Sequence, residues 1–163
     1  MKGLLVLVCL TAWGADIPKF GDFPAGEVFS GRPAVPVLKR AKDRTFRTRI
    51  REGAEKGPNF AGHYTVAEWG CGTECVDAAM IDAKTGAVLD LPFSFLTWGP
   101  GSFEDGAKWP GDDFEPIAHQ KGSRLLIVRG CEDDKRSNCG AFYYEWMGKQ
   151  FRLLKRLGYQ PAQ

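Results

Sequence analysis

Residues 59–75 of this 163-residue chain hold an unusual share of the groups that can do chemistry. His63, Glu68, Cys71, Glu74 and Cys75 fall within them, together with Trp69 and Thr73. Three kinds of chemistry use such groups. A thiolate beside an imidazole, Cys71 with His63, would be a nucleophile with its base. That pair needs a free thiol, and Cys75 stands four positions away to consume it. A carboxylate near an aromatic ring, Glu68 or Glu74 with Trp69, is the pattern of sugar recognition and glycosidic chemistry. His63 and Glu74 are the candidate catalytic groups, and His63, Trp69, Thr73 and Glu74 the candidate binding groups. The second histidine, His119, reads as a hydrogen-bonded sheet residue.

The cysteines are the third possibility. The chain opens with Lys2, an apolar run over residues 3–10 and small residues up to Ala15, the plan of a signal peptide with cleavage after Gly14 or Ala15. Removal of residues 1–15 takes Cys9 with it and leaves Cys71, Cys75, Cys131 and Cys139. An even number of cysteines in an exported chain reads as two disulfides. The local pairs, Cys71–Cys75 and Cys131–Cys139, are preferred among the three possible pairings. A redox dithiol and a four-cysteine zinc site are the competing readings. The first lacks a two-residue spacer, and the second lacks two tightly spaced cysteine pairs. Neither a metal nor a cofactor is expected.

The elements that must position these groups read as a mainly β, α+β domain. Residues 16–38 carry Pro18, Pro24, Pro33 and Pro36 and form an extended arm. One helix is expected over 39–56, where Phe46, Ile50 and Ala54 repeat at helical spacing, Asp43 caps the start and Gly57-Pro58 ends it. The alternation of Arg47, Arg49 and Arg51 with Thr48 and Ile50 is the competing strand pattern. About seven short antiparallel strands follow: 63–69, 75–82 and 87–91 as a meander around the turn at 82–86, then 116–119, 124–130, 141–147 and 150–157. Segment 124–130 is apolar on both faces and reads as a covered central strand. In the last strand Phe151, Leu153 and Leu157 are expected on one face and Arg152 and Arg156 on the other. Residues 39–158 make one domain and 159–163 a tail.

Residues 92–114 fit no regular element. They hold Trp98 and Trp109 among other aromatics, and a long patternless segment is often functional. If exposed, these tryptophans would be a stacking platform for a sugar or peptide; folded inward, with Phe103, they would form a small satellite core. The aspartates at 112 and 113 lack the spacing of a calcium loop.

Charge excludes more than it selects. The chain has 22 lysines and arginines against 20 acids, and loss of Lys2 lowers the cations to 21. Near-neutral balance does not suit a nucleic-acid binder. No phosphate-cradling glycine loop is present, and no membrane span follows the leader.

Taken together, G-P-N-F-A-G-H-Y at 57–64, W-G-C-G-T-E-C at 69–75 and I-D-A-K-T-G at 81–86 resemble a group of small exported bacterial proteins. The resemblance covers 57–93, and 124–157 more loosely. It implies a cell-envelope setting, periplasmic or extracellular, and no particular activity. The expected function is an exported, monomeric binding module for an envelope protein, inhibitor- or immunity-like, or for a saccharide. A small envelope hydrolase using His63 and Glu68 or Glu74 beside the 92–114 segment is the alternative.

Overall fold

A computed structural model describes residues 16–163. The expected leader, residues 1–15, lies outside them. The described chain is mainly β, with eleven strands and two short α-helices.

The helical segment is broken. Helix α1 (Ala41–Thr45) and helix α2 (Arg47–Glu55) meet at Phe46. Asp43 does not sit at the cap position. It stands three residues in and accepts the Arg40 N–H at 3.0 Å. Burial opposes its charge, but hydrogen bonds and the guanidinium of Arg40 hold its carboxyl below the ordinary aspartate range. Phe46 departs from helical geometry because its ring stacks on Trp69, with centroids 4.9 Å apart. Ile50 and Ala54 carry the buried stripe of α2 onto the sheet. Gly53 lets the helix approach, since a Cβ there would lie 2.3 Å from the Ala67 methyl.

Strand β1 (Tyr64–Gly72) pairs with β2 (Cys75–Asp82), and β3 (Val88–Leu89) returns along β2. The expected meander over 63–91 is present, with its third strand only two residues long. Its turn is closed by Asp82, which accepts from the Lys84 N–H and the Thr85 hydroxyl, each at 2.8 Å. Gly86 has φ +76°, and a Cβ there would press to 2.2 Å from the Val35 carbonyl oxygen.

The aromatic segment is not patternless. It contributes β4 (Leu96–Thr97), β5 (Gly101–Phe103) and β6 (Lys108–Trp109). Then come β7 (Ile117–His119), β8 (Leu125–Glu132), β9 (Cys139–Trp146) and β10 (Phe151–Leu157). The expected tail is β11 (Tyr159–Pro161), paired with β5 in a small three-stranded sheet. These short strands account for the excess over seven. The main sheet runs β1-β2-β4-β8-β9-β10, with β3 beside β2 and β7 beside β8. As expected, the segment around 124–130 is a central strand, and β8 is covered on both faces.

One face reading is corrected. A register shift between Leu153 and Lys155 reverses the alternation of β10. Leu153 is left 52% exposed, and Leu154 packs inward instead.

The proline-rich arm is clipped along the domain by backbone hydrogen bonds. Ala25, Phe29, Ala34 and Val37 donate in turn to the carbonyls of Gly122, Gly62, Ala83 and Gly86. Among the described residues, no helix is long and apolar enough to cross a membrane.

Candidate functional site

Asn59 enters β1 through a tight turn, in which Ala61 and Gly62 both have positive φ. Its side-chain amide then lies along the edge of the strand. Nδ2 donates to the Val66 carbonyl at 2.9 Å, and Oδ1 accepts the Val66 N–H at 2.7 Å. One amide thus satisfies both backbone groups that Val66 would offer another strand. The Asn59 backbone carbonyl meets His119 Nδ1 at 3.2 Å, and His119 Nε2 lies 3.2 Å from Glu68 Oε1. Strands β1 and β7 are not hydrogen-bonded neighbours. These side chains bring them together.

Two positions beyond Val66, Glu68 lies on the same face of β1. Trp69 points the other way, under α2, where it is 7% exposed. Glu68 and Trp69 therefore do not share a surface.

Both atoms facing the His119 ring are acceptors. Which ring nitrogen donates depends on the tautomer. The backbone contact at Nδ1 fixes the ring and turns Nε2 toward the carboxylate, the arrangement that orients a histidine for proton transfer. The ring is 14% exposed at its side chain and the carboxylate 32%, so the pair is reachable. It lies in a groove of about 350 Å³ between α2, β1 and β7. Arg49, Glu52, Gly53 and Lys56 form the helical wall, and Asn59 and Thr65 belong to the floor. Arg49 pairs with Glu52 at 3.7 Å.

His63 lies elsewhere. It ends the turn into β1, whereas Glu74 follows the strand's far end, and the nine-residue strand between them spans about 30 Å. The His63 ring packs on Tyr64 with centroids 4.1 Å apart, and its Nε2 is 3.9 Å from Asp82 Oδ1. Burial lowers its pKa below the ordinary histidine value, opposed by Asp82 and assisted by Lys84. A shallow cavity of about 340 Å³ adjoins it, with Glu27, Arg124 and Trp146 in its wall.

Glu74 is drawn into the aromatic segment. It adopts φ +50° at the hairpin tip, and its Oε1 accepts from Trp109 Nε1 at 2.8 Å. Its carbonyl accepts from the Trp98 N–H at 3.1 Å. Trp98, Trp109 and Phe114 meet edge-on or tilted, and Phe103 joins through Phe114 and Tyr159. Both tryptophans are half-buried in this satellite core rather than laid out as a flat platform. Thr73 remains exposed at the hairpin tip. Burial, then the charge of Glu74, raises the Tyr159 pKa.

Both local disulfides are formed, Cys71–Cys75 and Cys131–Cys139. The bonded sulfurs can act neither as the nucleophile nor as the zinc ligands considered from the sequence. Among the described residues, no group of three or more histidine, cysteine, aspartate or glutamate side chains is placed to hold a metal ion.

The residue that sequence reasoning passed over is His119. Only its place after Ile117-Ala118, at the end of a short strand, hinted that its side chain would be held at a sheet edge. Other buried charges are satisfied internally. Asp105 accepts from Arg129 at 2.8 Å and from the Tyr143 hydroxyl at 2.9 Å, and Glu132 accepts from the Tyr144 hydroxyl at 2.7 Å. No protein-family model, curated protein or solved structure matches the chain.

Proposed function

We propose that this chain is an exported, disulfide-stapled binding module of the cell envelope and that its ligand is a saccharide bearing carboxylates. The ligand seats in the groove between α2, β1 and β7. The observation that carries the reading is the Glu68–His119 pair, 3.2 Å apart in a reachable groove whose helical wall carries Arg49 and Lys56. Glu68 meets His119 through one carboxylate oxygen, and its second oxygen would accept from sugar hydroxyls. A carboxylate finds the two cations. The two disulfides fit an oxidising compartment. A protein partner would need a broader surface than this groove offers.

Titration of the chain with soluble muropeptides, followed by amide chemical shifts, tests the proposal. Saturable shifts at Glu68, His119 and α2, abolished in Glu68→Gln, are expected. Shifts confined to 92–114 would refute the groove as the site.

A second reading is favoured by the same contact. An oriented imidazole against a carboxylate is a general acid–base pair, so a hydrolase would use Glu68 with His119 rather than with His63. Mass spectrometry of the muropeptides after incubation separates the two. New fragments formed by the native chain but not by Glu68→Gln would establish the hydrolase, and intact ligand would leave binding.

A further inference from the structure

We infer that the outer face of the helical segment and the adjoining arm form a docking surface for an anionic phospholipid bilayer. Segment 39–56 carries eight lysines and arginines against three acids. Several are already engaged: Arg40 with Asp43 and Asp90, Lys42 with Asp77, and Arg49 with Glu52. Lys39, Arg44, Arg47 and Arg51 are different. They are exposed, and none forms an ion pair with a carboxylate among the described residues. Arg44 reaches back to the Lys39 carbonyl at 2.6 Å, and Arg47 contacts the Arg44 carbonyl at 3.4 Å. Arg51 follows Arg47 by one helical turn, on the same side of α2. Like charges at this spacing disfavour a helix, so their alignment has a cost that folding does not recover. Glu55, one turn beyond Arg51, is the acid nearest in sequence along this side.

The arm completes the surface. In its extended run Pro36 and Leu38 turn inward, while Val35, Val37 and Lys39 point out. Val35 is 76% exposed and Val37 45%. Two exposed valines leading into a row of cations match the interfacial region of a membrane, where apolar side chains enter the headgroup layer and cations meet phosphates. Three of the four cations are arginines, whose planar fork binds phosphate oxygens in pairs. A bilayer carrying phosphatidylglycerol offers both layers at once. A soluble polyanion would satisfy the cations and leave the valines in water. This surface excludes Arg49 and Lys56, so the inference does not rest on the groove reading.

Flotation of the exported chain, with both disulfides formed, on phosphatidylglycerol–phosphatidylcholine vesicles tests the inference. Binding is expected at low salt, with at least a tenfold loss at high salt and on pure phosphatidylcholine. Arg47→Glu with Arg51→Glu should reduce binding at least tenfold, and Arg47→Gln with Arg51→Gln by a smaller factor. Melting temperatures should stay near native, because both residues are exposed. Val35→Ser with Val37→Ser should weaken binding several-fold at unchanged charge. Equal affinity for neutral vesicles, or full binding by the charge-reversed chain, would overturn the proposal. So would capture of polyphosphate or DNA with no vesicle binding.

Discussion

Asn59 acts on three partners: both backbone groups of Val66 and, through its own carbonyl, the ring of His119. Asn59→Asp removes the donor and sets a carboxylate against the Val66 carbonyl. The expected loss is about 1–3 kcal/mol in denaturant unfolding, the range for stranding a buried polar group. The His119 resonances should shift in the same variant, because the turn that presents the Asn59 carbonyl loosens with it. His63 predicts a pH effect. Its folded pKa lies below the unfolded one, mainly through burial. As pH falls through the ordinary histidine value of about 6.5, the unfolded chain therefore takes up the proton first and stability declines. Asp82 opposes the shift and Lys84 adds to it, so these two charges set the width of that window, while Glu27 and Arg124 line the same cavity. His63→Gln should flatten the stability profile between neutral and mildly acidic pH. An unchanged slope, measured by thermal unfolding across that range, would show that His63 does not contribute it.

The elements show where local pattern decides structure and where packing overrides it. Ile50 and Ala54 read correctly as a helical stripe, because α2 buries only that side. Phe46 belongs to the same periodicity, yet it ends α1. Its stacking on Trp69 outweighs the small propensity for continuing the helix. The disulfides were legible because each closes a short loop. The strands within 92–114 were not, because two-residue strands such as β4 and β6 carry no period of their own. The shift at Leu153 was equally hidden, since a bulge adds a residue without changing composition. His119 met Glu68 through a fold-level closure that no local window contains. Gly53 yields the prediction at this scale. Alanine is the better helix former by about 1 kcal/mol. Here its methyl would meet Ala67 at 2.3 Å, so α2 must shift. Gly53→Ala should destabilise by about 1–3 kcal/mol, with quenching or exposure of Trp69 as the fluorescence readout. Stabilisation instead would mean that α2 can slide along the sheet without losing its core contacts.

At the scale of the whole molecule, the hydrogen-bonded join within the main sheet is narrow. The β1-β2-β3 unit meets the β8-β9-β10 unit through β4, which is only Leu96 and Thr97. Thr97 pairs with Cys75 on one side and Cys131 on the other, and Cys131 pairs in turn with Cys139. Both disulfides therefore flank this two-residue strand. At Gly130, φ +146° brings the chain so close that a Cβ would stand 2.6 Å from the Thr97 carbonyl oxygen. The separations of four and eight residues give chain-entropy contributions of about 2 and 2.5 kcal/mol. Losing one bridge should lower stability by that order and leave the sheet joined through the other flank. Losing both should do more than add, because β4 is then held by its few backbone hydrogen bonds, the Thr97 hydroxyl bond to Asp134 and the buried Leu96 side chain. Cys71→Ser with Cys75→Ser, Cys131→Ser with Cys139→Ser, and the fourfold variant can be compared by amide hydrogen exchange. In the fourfold variant, exchange at Leu96 and Thr97 should accelerate far more than within β1–β2 or β8–β9. That pattern would mark two units opening about β4. Uniform acceleration throughout the sheet would instead show that the disulfides stabilise a single cooperative unit and that β4 is no hinge.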